Sequence, residues 1–223
     1  MTERADGARK GRETVFIVDD DESIREGLCN LLEAVGINAE SYPTAERFRA
    51  RWSEAMAGCL LLDARLPGIS GVEFQERLRK LGIGIPVIFM TAHGDIPMVR
   101  KVMKAGAIEF LTKPFQKEEL LHAVDQAFAF DRVRRREEGI IGTIRARINL
   151  LTAREREVMS MVTAGLLNKQ IAGELNLSEI SVKLHRRHMM EKMQAGSLAE
   201  LVKMCERVKE QARPIRLREP NVF

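Results

Sequence analysis

Apolar residues along this chain follow two rhythms. From Thr14 to about residue 130, short apolar runs alternate with longer amphipathic stretches. Thr14–Val18 is rich in strand formers and runs into three acids. Ser23–Val35 carries Ile24, Leu28, Leu31, Leu32 and Val35 at helical spacing, and Gly36 then stops it as a C-terminal glycine does. Ile37–Tyr42 reads as a strand and Thr44–Trp52 as a helix. Cys59–Leu62 is an apolar run ending at Asp63, followed by a helix over Val72–Leu81. Pro86–Met90 is a strand ending at Thr91, and Pro97–Ala105 a helix closed by Gly106. Ile108–Leu111 is a strand ending near Lys113, and a helix begins at Lys117. The strand runs are apolar throughout instead of alternating, so both faces are covered. Five strand–helix repeats of this kind predict an α/β fold, a flavodoxin-like five-stranded parallel sheet.

The rhythm changes after residue 150, where no strand pattern recurs. Thr152-x-x-Glu155 is a capping box ahead of Val158, Met161 and Val162, and Gly165 ends that helix. Asn168 is positioned to cap a second, short helix with Ile171, Ala172 and Leu175 facing inward. Ser178 can cap a third, running to about Met193, and Ser197-x-x-Glu200 opens a fourth. The prediction is a small all-α, four-helix domain. Between the two regions, Ile141, Ile144, Ile148 and Leu151 recur at spacings of 3, 4 and 3, which is one helical face interrupted by Gly139 and Gly142. That pattern predicts a partly helical linker hinged near the glycines. Its stripe either packs on its own domain or makes a dimer contact. The expected division is a flexible N-terminus at 1–13, an α/β domain at 14–130, a linker at 131–148, a helical domain at 149–210 and a flexible tail at 211–223.

Charge separates the two regions further. Of 36 Lys+Arg and 32 Asp+Glu, residues 1–125 hold 17 and 20, leaving 19 and 12 for residues 126–223. The front half therefore carries −3 and the back half +7, so the back half suits a polyanion such as double-stranded DNA. No stretch approaches the roughly 18 apolar residues of a membrane span, and the first residues lack the apolar block of a secretory signal. Cys29, Cys59 and Cys205 are odd in number and widely spaced, which excludes a disulfide framework or zinc knuckle and fits a reducing, cytoplasmic setting without membrane attachment.

The front half also carries candidate chemistry. In a parallel sheet, functional groups gather beyond the C-terminal strand ends. Those ends bear Asp19, Asp20 and Asp21 after the first strand, Asp63 after the third, Thr91 after the fourth and Lys113 after the fifth. Converging carboxylates repel one another unless a cation joins them, and hard oxygen donors suit Mg²⁺. Asp63 is then a carboxylate nucleophile for a phosphoryl group, with Lys113 and the Thr91 hydroxyl meeting its oxygens. Either Asp20 or Asp21 could instead cap the first helix.

Phe16-Ile-Val-Asp-Asp-Asp-Glu, Leu62-Asp-Ala-Arg-Leu-Pro-Gly-Ile-Ser-Gly, Met90-Thr-Ala-His-Gly-Asp and Phe110-Leu-Thr-Lys-Pro-Phe resemble the receiver domains of two-component response regulators over about 14–130. The resemblance implies that Asp63 accepts a phosphoryl group from a sensor histidine kinase. It implies Mg²⁺ at Asp19, Asp20, Asp63 and the Arg65 main-chain carbonyl, with Asp21 as a non-ligating acid. It also implies phosphoryl binding and switching through Thr91, Ala92, Lys113 and Phe110, a cis Lys113–Pro114 bond, and a homodimer when phosphorylated, formed through roughly Pro97–Leu111. His93 is either a loop residue or one that overhangs the phosphoryl group.

In the back half, Asn168–Ala172, the turn at Asn176–Leu177 and the helix from Ser178 fit a helix-turn-helix. Its third helix carries Lys183, Arg186, Arg187 and Lys192, and Lys183 and Arg187 share a face with Leu184 beside them. Lys183 and Arg187 suit guanine, Leu184 a thymine methyl, and Lys169 and Ser181 phosphate. His185 and His188 have no acid or cysteine to complete a metal site. Leu151-Thr-Ala-Arg-Glu-Arg-Glu-Val-Met, Gly165-Leu-Leu-Asn-Lys-Gln-Ile-Ala and Leu177-Ser-Glu-Ile-Ser-Val-Lys-Leu-His-Arg resemble the LuxR-type helix-turn-helix over about 149–206. The pairing of domains is similar to the FixJ/NarL class of bacterial response regulators, closest to the FixJ/StyR branch. Ile180 departs from the Ser or Thr common at its position. The resemblance implies a phosphorylation-controlled transcription regulator, not an enzyme beyond slow self-dephosphorylation, with RNA polymerase as a further partner. A metal-dependent phosphohydrolase lacks its D-x-D-x-T signature here, since Ala64 and Arg65 follow Asp63. A constitutive architectural DNA binder would have no use for the Asp63, Thr91 and Lys113 set.

Overall fold

A computed structural model describes residues 13–92, 100 and 102–211. The chain divides into two compact units at Arg134 and Arg135. The first contains five strands, β1 (Thr14–Val18), β2 (Asn38–Tyr42), β3 (Gly58–Asp63), β4 (Val87–Thr91) and β5 (Glu109–Thr112). All pair in parallel in the order β2-β1-β3-β4-β5. Between them run α1 (Glu22–Ala34), α2 (Ala45–Arg51) and α3 (Gly71–Lys80). Of the expected helix over Pro97–Ala105, residues 100 and 102–104 are helical; Pro97–Val99 and Lys101, like His93, lie outside the described residues.

The apolar strands are apolar because each face has its own core. Phe16, Val18, Leu60, Leu62 and Phe89 pack with Phe48 of α2 and with Val72, Phe74 and Leu78 of α3. Val15, Ile17, Leu61, Ile88 and Met90 pack with Leu28 and Leu32 of α1 and with Leu120, Val124 and Phe128 of the helix after β5. Alternate residues thus enter opposite cores, and neither set is left for water. The two edge strands are the exceptions: β2 (Asn-Ala-Glu-Ser-Tyr) is largely half-buried, and β5 (Glu-Phe-Leu-Thr) buries only Leu111.

The helix after β5, α4, runs without a break over Lys117–Asn149. Near Arg134 it is tied beneath the sheet. Buried Asp131 accepts the Gly58 N–H at 2.9 Å through Oδ2, and the Arg134 guanidinium through Oδ1. Gly58 has φ +132°, and a Cβ there would lie 1.9 Å from the Thr14 carbonyl oxygen, so only glycine lets β3 start this close to β1.

The expectation of a hinge at Gly139 and Gly142 is corrected by this continuous helix. Each helical glycine costs about 1 kcal/mol relative to alanine. Burying an isoleucine or leucine returns about 1.5–3 kcal/mol. Ile144 and Leu151 are buried in the core of the second unit, with Ile140 and Ile148 packed against it. Three of the four stripe residues, Ile144, Ile148 and Leu151, therefore pack on that unit and outweigh the two glycines; Ile141 is buried too.

The second unit continues with α5 (Ala153–Thr163), α6 (Asn168–Leu175), α7 (Glu179–Met193) and α8 (Leu198–Gln211) around Val158, Val162, Ile171, Val182, Met189, Met193 and Leu201. Asn168 does not cap α6. Leu167 holds the capping position, and its N–H donates to Gln170 Oε1 at 2.8 Å. The Asn168 side chain instead accepts Arg186 Nη1 at 3.1 Å. Among the described residues no helix is long and apolar enough to cross a membrane.

Glu155 couples the start of α5 to the end of α7. It closes the capping box with Thr152 and also accepts Lys192 Nζ at 2.9 and 2.7 Å. Burial pushes the Glu155 carboxyl up, but the Lys192 ammonium and the Thr152 donors outweigh it, and the group ends below its ordinary range. A carboxyl lowered by folding stabilises the fold above its unfolded value of about 4.3, and that stability is lost as pH falls through the lower folded value. Glu155→Gln is expected to lower the unfolding free energy of this unit by about 1–3 kcal/mol at pH 7. It should also flatten the loss of stability below about pH 4.3. Urea unfolding of both proteins across pH 3–7 measures this.

Candidate functional site

Four of the five strands deliver a chemically active residue to one edge of the sheet. β1 leads into Asp19, β3 ends at Asp63, β4 ends at Thr91, and β5 leads into Lys113. The register aligns them: Val18 lies opposite Leu62, Asp63 opposite Met90, and Thr91 opposite Thr112. The Lys113 N–H extends the ladder by donating to the Thr91 carbonyl at 2.7 Å, and the Lys113–Pro114 bond is cis, as expected.

The side chains then meet. Lys113 Nζ lies 2.5 Å from Asp19 Oδ2 and 2.6 Å from Asp63 Oδ2. Asp19, Asp20 and Asp63 each offer an oxygen, all within 4.8 Å of one another. Asp19 is buried, Asp63 half-buried and Asp20 exposed, so the cluster opens to water on the Asp20 side. Thr91 is fully buried, while Ala92 beside it is exposed. Phe110 is half-buried against the core beneath α3.

Electrostatics leave this edge short of positive charge. Burial pushes the Asp19 carboxyl up, against the pull of the Lys113 hydrogen bond. Burial draws Lys113 down, but its bonds to Asp19 and Asp63 outweigh that and hold the ammonium above its usual range. Lys113 therefore stays charged, and three carboxylates against one ammonium leave about two negative charges at full ionisation. Hard oxygen donors facing water with this deficit fit a divalent cation of the Mg²⁺ type.

Local structure holds the acids in place. Asp21 caps α1, its Oδ1 accepting the Ser23 and Ile24 N–H groups at 2.8 and 3.3 Å. That capping role separates it from Asp20. Asp63 Oδ1 accepts the Arg65 N–H at 2.7 Å, and Arg65 bridges to Ser70, closing the loop into α3. Sequence reasoning missed Arg25. Its Nη1 donates to the main-chain carbonyls of both Asp19 and Asp20 at 2.9 Å, bracing the acidic loop from the first turn of α1. An arginine one turn past the cap was the only signal for it.

The second unit presents a different surface. α6 ends at Asn176, which is left-handed with φ 54°, and Ser178 caps α7 by accepting the Ser181 N–H at 3.1 Å. Lys183, Leu184 and Arg187 are exposed on one face of α7, and Lys169 is exposed on α6. Ser181 is half-buried, with its hydroxyl 2.9 Å from that of Ser178. Arg187 pairs with Glu191 at 2.9 Å, both side chains exposed; such a pair is weak and easily exchanged. Two of the four basic residues expected on this helix face elsewhere: Arg186 holds Asn168 and Lys192 holds Glu155. Among the described residues the only cluster of acids, cysteines or histidines that could hold a metal is the Asp19, Asp20 and Asp63 group, so His185 and His188 form no such site.

Comparison with known proteins agrees with both surfaces. Residues 15–125 match the response regulator receiver domain, and residues 149–205 match the bacterial regulatory proteins of the luxR family. Nodulation protein W of Bradyrhizobium diazoefficiens is 44% identical over 92% of this chain and 94% of its own length. The transcriptional regulatory protein FixJ of Rhizobium meliloti is 41% identical over 86% of this chain and 94% of its own. The solved structure of the response regulator StyR is 46% identical, covers 88% of this chain and 99% of that one, and superposes with a TM-score of 0.74. This chain belongs to the two-component response regulators that join a receiver domain to a luxR-type DNA-binding domain. It is therefore a regulator of transcription.

Proposed function

We propose that Asp63 is the phosphoacceptor, and that its phosphorylation by a sensor histidine kinase controls sequence-specific binding of the luxR-type domain to double-stranded DNA. The observation that carries this reading is the double contact of Lys113 Nζ with Asp19 and Asp63 at the water-facing edge of the sheet. The domain limits that go with it are a receiver at 14–130, a linker at 131–148 and a DNA-binding domain at 149–210.

In the reaction, an Asp63 carboxylate oxygen attacks the phosphorus of a phosphohistidine. The O–P bond forms as the N–P bond breaks, and the imidazole leaves with the electron pair and takes up a proton. Lys113 pairs with the arriving phosphoryl oxygens, and the Thr91 hydroxyl and the Ala92 main-chain N–H donate to them. Asp19, Asp20, Asp63 and the Arg65 carbonyl would hold Mg²⁺, which neutralises charge on the phosphoryl group. Water later cleaves the acyl phosphate slowly and restores Asp63.

Drawing Thr91 toward the phosphoryl group vacates space that Phe110 turns inward to fill, biasing an existing two-state equilibrium. The favoured state dimerises through roughly Pro97–Leu111, and linking two half-site contacts strengthens DNA binding. On DNA, Lys183, Leu184 and Arg187 meet base edges, while Lys169 and Ser181 meet phosphates. A cytoplasmic regulator of this kind then acts on RNA polymerase.

Asp63→Asn is expected to abolish phosphoryl transfer from a radiolabelled kinase and leave the circular dichroism unchanged; transfer at the wild-type rate would refute the assignment. In sedimentation, the beryllofluoride form with Mg²⁺ should be a dimer that dissociates in Phe110→Ala. Salt titrations on cognate and scrambled duplexes separate the two kinds of DNA contact. Arg187→Ala should cost about 1–3 kcal/mol on the cognate site only. Lys169→Ala should weaken both duplexes alike and lower the salt slope by about one unit.

A further inference from the structure

One apolar residue on the DNA-facing helix has no role in the reading above. Ile180, in the first turn of α7, is 79% exposed, more than any other large apolar side chain among the described residues. Leu184, one turn further on, is 52% exposed. At about 100° per residue, Ile180, Lys183, Leu184 and Arg187 fall on one stripe. Val182, Met189 and Met193, which are buried, lie on the opposite side of the helix. The described fold of this unit therefore leaves Ile180 uncovered, and burial in its core does not account for the residue.

The flanking charges select the occupant. Lys183 and Arg187 flank the apolar pair with exposed cations on the same face of the helix, which suits a polyanion. Ile180 has no donor for a phosphate, and Glu179 beside it repels one. The apolar feature of a DNA major groove is the 5-methyl group of thymine. Residues four apart are separated by about 6 Å along a helix axis, roughly two base-pair steps. We propose that Ile180 is a specificity-determining residue which, paired with Leu184, recognises two thymines by their methyl groups. This rests on the DNA-reading role of α7 proposed above.

The test uses the full chain with beryllofluoride and Mg²⁺, on a duplex selected from random DNA by the wild-type protein, with each thymine replaced in turn by deoxyuridine. Losing a buried methyl should weaken wild-type binding about threefold to fourfold at each of two positions. Ile180→Ala should erase that loss at one position and Leu184→Ala at the other, while Ile180→Val keeps part of it. Both side chains are exposed, so the variants should retain the wild-type salt slope and circular dichroism. Equal binding of thymine and deoxyuridine duplexes by the wild type would overturn the inference while leaving sequence-specific binding intact. An unchanged thymine preference in Ile180→Ala would overturn it too, and would direct Ile180 to a protein contact. Failure of the wild type to separate selected from scrambled duplexes would instead remove the DNA-reading role itself.

Discussion

The receiver unit depends on a single problem of charge. A parallel sheet brings every strand's C-terminal end to the same edge, and here three of the residues arriving there are acids. Lys113 reaches across from the end of β5 to touch two of them. Its ammonium offsets part of the repulsion but not all, and the remaining negative charge faces water beside Asp20. A fixed cation on one side and a charge deficit on the other fit the proposed roles of a divalent ion and a phosphoryl group at this edge. The surrounding structure keeps that balance: Asp21 occupies itself as a helix cap, and Arg25 braces the carbonyls of the acidic loop.

The DNA-binding unit solves a different problem, which is how to stay folded while offering a basic surface. It sorts its cations. Lys192 neutralises the buried Glu155 and Arg186 binds Asn168, so both half-buried cations are tied up within the fold. Lys183 and Arg187 remain outward, the latter paired with the exposed Glu191. The isoleucine stripe of α4 serves the same unit. Its burial carries the helix through two glycines that would otherwise invite a break.

Much of this was legible in the sequence because the signals are local. Apolar runs ending in Asp63, Thr91 and near Lys113 specify the strands and what their ends carry, since a parallel strand buried on both faces must be apolar throughout. The Thr152 and Ser178 caps are likewise readable, because a helix start needs an acceptor for its free N–H groups. What the sequence left open were choices between equivalent residues. Three consecutive aspartates look alike until one of them caps α1. Lys183 and Lys192 look alike until the packing of α5 against α7 brings Glu155 to Lys192. Asn168 is a good cap by type, yet the helix starts there and its amide turns to Arg186. Asp131 reads as one more charge on a polar helix, and only its bonds to the Gly58 N–H and to Arg134 show why it is buried. Such roles depend on which residues distant in sequence come within hydrogen-bond reach, and only the tertiary structure decides that.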